Sequence, residues 1–145
     1  LRDGQMTDEG LADLAGLEHL TTLDLRDTRV SDDGTQALAR LVQLRSLNLK
    51  GTLVTDAGLK DLAALARLTS LDLTFLKVTR AGIKELAPLK DLASLGLFGT
   101  DVTDAGLQEL AAHKRLTSLH VGSTKVTDDG VQELQKSLPG CRIVR

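Results

Sequence analysis

Three histidines, one cysteine and 20 acidic residues are the groups in this 145-residue chain that could carry acid–base, nucleophilic or metal chemistry. No two of His19, His113 and His120 stand at the short spacing that puts two imidazoles on one helical face, so the histidines offer no metal site. Cys141 is single, which excludes an intrachain disulfide and a cysteine-based zinc site, and no histidine lies near it in its own segment. Asp32-Asp33-Gly34 and Asp128-Asp129-Gly130 share composition with calcium loops but lack the alternating carboxylates and the distal Glu. There is no G-x-S-x-G elbow and no glycine-rich phosphate loop with its lysine. One constellation is left: Asp72, Ser94 and His120 share a sheet face in the reading below. An open sheet, however, has no enclosed pocket from which water is excluded. The chain is therefore expected to be no enzyme and to hold no metal and no cofactor.

The elements that position these residues follow from a repeat. Leu20, Leu44, Leu68, Leu92 and Leu116 stand 24 residues apart, and each opens the frame L-x-x-L-x-L, ending on Leu25, Leu49, Leu73, Leu97 or Val121. Alternation of apolar and polar residues means a short strand with one face buried. Next comes a small polar residue, Thr28, Thr52, Thr100 or Thr124, replaced once by Leu76, and two positions later a valine: Val30, Val54, Val78, Val102 or Val126. Ser31-Asp32-Asp33-Gly34 and Thr55-Asp56-Ala57-Gly58 exemplify the step after that, a helix start in which the hydroxyl caps free N–H groups and the acid complements the positive helix end. Arg80 is the exception among these acids. Behind the caps the apolar spacing changes to three and four, as in Leu59, Leu62, Ala63 and Leu65, which predicts a short helix facing the strand. A unit this small cannot bury its own leucines, so the units must stack.

Gly10, Gly34, Gly58, Gly82, Gly106 and Gly130 hold one position of the unit. Glycine inside a helix costs about 1 kcal/mol relative to alanine. Its return predicts crowding, here expected between the backbones of adjacent units. An anion site at the helix starts is the alternative, but the acids there repel anions and only the Arg80 cap would suit one. The frame begins partway through a unit, with Leu1 aligned to Leu25, and shows no polar N-terminal cap. It ends on Cys141-Arg142-Ile143-Val144, where another strand falls due after Pro139-Gly140 breaks the helix.

This pattern resembles the leucine-rich-repeat family, in a short bacterial form related to its ribonuclease-inhibitor-like and cysteine-containing classes. The resemblance rests on L-x-x-L-x-L followed by Thr, Val and the Thr-Asp-x-Gly-Leu step, and it covers nearly the whole chain. It implies an α/β, right-handed solenoid of 24-residue units. A parallel concave sheet would carry short helices on its convex side, in one domain over 1–145 of about six units, the first and last partial. It also implies a protein-binding scaffold that uses the concave face and adjoining loops. Leu76 departs from the Asn, Cys or Thr of its column, which predicts a locally altered turn.

With the leucines inside, the intervening residues face solvent. One column reads Thr22, Ser46, Ser70, Ser94, Ser118; the next Asp24, Asn48, Asp72, Gly96, His120; the third Arg26, Lys50, Thr74, Phe98, Gly122. Phe75 falls just past its strand, where other units have Asp27, Gly51, Gly99 or Ser123. The only aromatic carbocycles, Phe75 and Phe98, thus lie outside the leucine ladder, with Leu53 and Leu76 near them. These four are expected to form an exposed apolar patch of the kind that anchors a partner. The candidate protein-binding residues are Asn48, Lys50, Leu53, Asp72, Thr74, Phe75, Leu76, Phe98 and His120.

A net charge of -2 supplies no excess positive field for nucleic acid or anionic lipid. No apolar run reaches the roughly 18 to 20 residues of a membrane span. The partner is therefore expected to be a protein rather than nucleic acid or a membrane. Two further roles stay open: end-to-end self-association through the uncapped N-terminal unit, in a structural array, and, as the family resemblance implies, recognition within a bacterial effector. The chain is expected to be soluble. Its single cysteine fits a reducing, cytoplasmic setting, while a start at Leu1 rather than Met leaves a processed or excised piece, and secretion, open.

Overall fold

The computed structural model describes residues 6–14 and 16–145. Leu1, which the repeat aligns with Leu25, lies outside them. Six three-residue strands, β1 (Thr22–Asp24), β2 (Ser46–Asn48), β3 (Ser70–Asp72), β4 (Ser94–Gly96), β5 (Ser118–His120) and β6 (Arg142–Val144), form one open sheet in chain order. All neighbours are parallel and in register, so Leu23, Leu47, Leu71, Leu95, Leu119 and Ile143 make one row across the sheet. The middle four of these leucines and their partners at 49, 73 and 97 are buried to within about 1%. Each such side chain contributes roughly 1.5–3 kcal/mol by leaving water. Truncating one to alanine should cost about 2–5 kcal/mol, because the rigid neighbours above and below cannot collapse into the gap.

The backbone ladder runs past the strands: Leu25, Leu49, Leu73 and Leu97 donate N–H to the carbonyls of Asn48, Asp72, Gly96 and His120 at 2.8–2.9 Å. The chain then turns through a left-handed residue in five successive units, Asp27 (φ 57°), Gly51 (67°), Phe75 (64°), Gly99 (67°) and Ser123 (54°). Just after it, the hydroxyls of Thr28, Thr52, Thr100 and Thr124 donate to the carbonyl three residues back at 2.6–2.7 Å. Leu76 has no hydroxyl, yet its turn is unaltered, with Leu76 N–H on Leu73 O at 3.2 Å as Thr28 N–H is on Leu25 O at 3.3 Å. The altered turn expected there does not form, because the backbone bond alone closes it. Leu76 itself is 2% exposed and belongs to the core, not to a surface patch.

Opposite the sheet lie α1 (Asp8–Leu14), α2 (Asp32–Leu38), α3 (Asp56–Leu62), α4 (Arg80–Glu85), α5 (Asp104–Gln108) and α6 (Asp128–Ser137). Ser31, Thr55 and Thr79 cap their helices by accepting the N–H two residues on, and Thr127 accepts that of Gly130. The first-turn aspartates also reach into the following unit. Asp32 Oδ1 accepts the N–H groups of Thr55 (2.7 Å) and Gly58 (3.0 Å), and its Oδ2 accepts the Thr55 hydroxyl (2.6 Å). Asp8 binds Ser31, Asp56 binds Thr79 and Asp104 binds Thr127 through the same pair of backbone and hydroxyl donors. These bridges explain the glycines. A Cβ on Gly58 would lie 2.5 Å from Asp32 Oδ1, and Cβ atoms on Gly34, Gly82 and Gly130 would meet Asp8, Asp56 and Asp104 in the same way. The crowding comes from the carboxylate of the preceding unit rather than from its backbone. Gly106 alone faces backbone, Arg80 Cα at 3.3 Å, where the aspartate is missing.

Candidate functional site

The solvent-facing column after the serines closes the strand ends. Asn48 Oδ1 accepts the N–H of Lys50 (2.9 Å), and Asp72 Oδ1 accepts both the N–H (3.0 Å) and the hydroxyl (2.5 Å) of Thr74. Asp24 accepts the N–H of Arg26 (3.2 Å) and holds its guanidinium at 2.6–2.9 Å, which raises the already high pKa of that group. Asn48, Asp72 and Thr74 are thus tied to local turns, with their remaining polar capacity toward solvent. The space over Gly96 in this column is taken by Asp72, since a Cβ there would lie 2.5 Å from Asp72 Oδ1. Among the described residues Ser94, His120 and Asp72 make no hydrogen bond to one another, and no group of three or more His, Cys, Asp or Glu is arranged to hold a metal ion.

Beside Gly96 four side chains follow one another in contact from β2 to β5. Lys50 Nζ sits 5.6 Å from the Phe75 ring centre. Phe75 and Phe98 are T-shaped at 5.4 Å and 82°, and Phe98 meets the His120 ring at 5.2 Å and 48°. Ring contacts of this geometry contribute about 0.5–1.5 kcal/mol beyond area burial. Phe75 is nevertheless 56% exposed and Leu53 61% exposed, while Phe98 is half-buried. The row is therefore an outward-facing surface that the structure brings together from Lys50, Phe75, Phe98 and His120. Leu53 stands beside it across a groove lined by Thr52, Val54, Thr55, Phe75 and Lys77. Leu76, expected in the same patch, lies beneath it in the core.

Two glycines that shape the row were not singled out from the sequence as part of it. A Cβ on Gly99 would lie 2.5 Å from Phe75 Cδ1, and one on Gly122 would lie 2.8 Å from Phe98 Cδ2. Each ring leans into the next unit, over a position that carries no side chain. The signal was present in the columns, where Gly99 and Gly122 each follow their phenylalanine by one unit. Phe75 also occupies the left-handed position that glycine takes in the units on either side. A bulky residue there stores on the order of 1–3 kcal/mol of backbone strain.

Family models described as leucine-rich repeat match residues 18–78 and 114–134, together more than half of the chain. No curated protein matches. Among solved structures, the chain is similar to internalin C2 of Listeria monocytogenes, with 27% identity, a TM-score of 0.72, and coverage of 97% of this chain and 66% of that one. It shares its fold with a leucine-rich-repeat protein of Leptospira interrogans (24% identity, TM-score 0.72, 92% of this chain and 33% of that one). It does so too with an internalin F of Listeria monocytogenes (19%, TM-score 0.55, 92% and 49%). The chain thus spans between a third and two-thirds of the length of these proteins.

Proposed function

Because the chain belongs to the leucine-rich-repeat family, we propose that it is a non-catalytic protein-binding scaffold whose partner docks on the row from Lys50 through Phe75 and Phe98 to His120. The observation that carries this reading is Phe75. A ring more than half exposed, held in a left-handed conformation that costs stability, is retained at a position where the fold itself is served by glycine. Aromatic side chains rigidly stacked on a sheet and open to solvent are what interface anchors require: large apolar area with little rotamer entropy left to lose. Asn48, Asp72 and Thr74 form the polar border of that surface, and Leu53 its apolar flank. The bacterial sources of the similar structures, and their greater length, support a place for this chain as the recognition segment of a longer bacterial protein, an effector among the options.

The test is capture with the immobilised chain, native against a Phe75→Gly/Phe98→Ser double variant, read by quantitative mass spectrometry and then by direct titration of whatever is retained. The variant should keep its circular dichroism spectrum, since the first substitution gives this turn the residue type already present at Gly51 and Gly99, and neither ring belongs to the leucine rows. Affinity should fall by at least about 100-fold, the loss of two anchor side chains. A variant that unfolds, or one that binds the same partner undiminished, defeats the proposal.

A further inference from the structure

We infer that the groove between Leu53 and Phe75 takes an acidic segment of a partner protein, with an apolar side chain seated between the two residues and an adjacent carboxylate held by the surrounding cations. The inference rests on the protein-binding reading above and specifies the partner's chemistry. Arg29, Leu53, Lys77, Asp101 and Lys125 occupy equivalent positions in successive units. Toward the C-terminal end of this column the charges are satisfied internally: Lys125 Nζ lies 2.8 Å from Asp101 Oδ1, and that hydrogen bond holds the Asp101 carboxyl below the usual carboxylate range. Around the groove the balance is different. Arg29 and Lys77 are exposed on either side of Leu53, and Lys50 stands over the Phe75 ring. Among the described residues none of these three cations makes an ion pair. Neighbouring strands lie about 4.8 Å apart, so all three are within reach of one bound segment.

Three cations without ion pairs stand around two exposed apolar side chains of a chain whose net charge is -2, and Asp101, the acid within electrostatic range of Lys77, is already bonded to Lys125. Lys50 contacts a ring face rather than a carboxylate, an arrangement that leaves its ammonium donors available. Complementarity then selects a partner with Asp or Glu beside Leu, Ile, Met or an aromatic residue, and rejects basic segments by like-charge repulsion. An anionic bilayer is the other surface that answers to cations and apolar groups. A groove lined by Leu53, Phe75 and Lys77, with Arg29 and Lys50 at neighbouring positions of the repeat, suits a peptide better than a plane of headgroups.

Selection of phage-displayed random peptides on the native chain, on Lys50→Glu/Lys77→Glu and on Phe75→Gly tests this. The native chain should enrich peptides with an acid within two positions of a large apolar residue. Their binding should weaken at least about 10-fold in the charge-reversed variant, which should itself enrich basic peptides. Peptides that depend on Phe75 but are neutral or basic, or are indifferent to charge reversal, overturn the acidic assignment and leave the protein-binding reading standing. A failure of any selection to yield a Phe75-dependent peptide overturns both. Sedimentation with phosphatidylcholine/phosphatidylserine vesicles that is lost in Phe75→Gly also overturns the inference, in favour of a membrane.

Discussion

His113 stands in the column of Leu41, Leu65 and Leu89 and is fully buried. Its Nε2 lies 3.0 Å from Leu86 O, and its Nδ1 has no hydrogen-bond partner among the described residues. An orphaned buried polar atom costs about 1–3 kcal/mol. The bond on the other nitrogen, worth about 1 kcal/mol net, offsets only part of this and the burial of the polar ring. His113→Leu, which restores the residue of the column, should therefore stabilise the chain by about 1–2 kcal/mol. Thermal or urea unfolding measures it, and a destabilised variant would show that the imidazole makes a contact worth more than its desolvation. The same scale separates what could be read from residue types and what could not. Phe75, Phe98 and Leu53 were legible as surface residues because they break columns that are polar or glycine elsewhere. Leu76 broke its column too, but a leucine in place of a threonine that faces inward extends the core. Side-chain type alone does not tell an inward-facing column with one polar contact from an outward-facing one. The buried hydroxyls of Thr28, Thr52 and Thr100 are bonded to backbone, and that pairing decides it.

Strand, turn and helix were each legible because the repeat shows every one of them five or six times. What periodicity could not supply was the connection between helix starts, which is made by side-chain geometry across units. Glycine at the third helical residue looked like space for backbone. The structure shows space for the aspartate of the preceding unit, whose carboxylate gathers three donors at Asp32. This predicts an inverted sign for a common stabilising change. Glycine to alanine within an exposed helix normally gains about 1 kcal/mol. Gly58→Ala should instead lose about 2 kcal/mol, since the new methyl displaces Asp32 Oδ1 and also meets Thr35 Cγ2 at 2.9 Å. In an Asp32→Ala background most of that loss should vanish, giving a coupling of about 1 kcal/mol or more in a double-mutant cycle. Gly16→Ala, with nothing within 4 Å of the added carbon, is the control. Equal costs of Gly58→Ala with and without Asp32 would sink the bridge account.

A stack of units in which each touches only its neighbours is as strong as its separate interfaces, and these interfaces are not equal. The aspartate bridge is present from Asp8 to Ser31, Asp32 to Thr55, Asp56 to Thr79 and Asp104 to Thr127. It is absent where Arg80 replaces the acid. Thr103 there makes no side-chain cap bond, and α5 is only five residues long before it tightens into a 3₁₀ turn at Glu109–Ala112. Arg80 instead reaches Glu109, Nε to Oε1 at 2.7 Å, an exposed pair worth at most about 1 kcal/mol. His113, with its unpaired nitrogen, lies directly after that turn. The weakest interface of the molecule is therefore between α4 and α5, at the centre of the aromatic row, and it divides Phe75 and the N-terminal units from Phe98, β5 and β6. Native-state hydrogen exchange should show the amides of Val121 and Arg142, which close the last ladders, opening at lower free energy than Leu49, on the N-terminal side of that interface. Arg80→Asp should supply the missing acceptor for Thr103, with two charge-assisted bonds outweighing the lost ion pair and the new repulsion from Glu109. A net gain of about 1 kcal/mol is expected, concentrated in the C-terminal units. Arg80→Ala removes the ion pair without building the bridge and should fall slightly below the native chain. Uniform exchange along the solenoid, or an Asp variant no more stable than the Ala one, would mean that cooperativity does not depend on the bridge and that leucine stacking alone sets it.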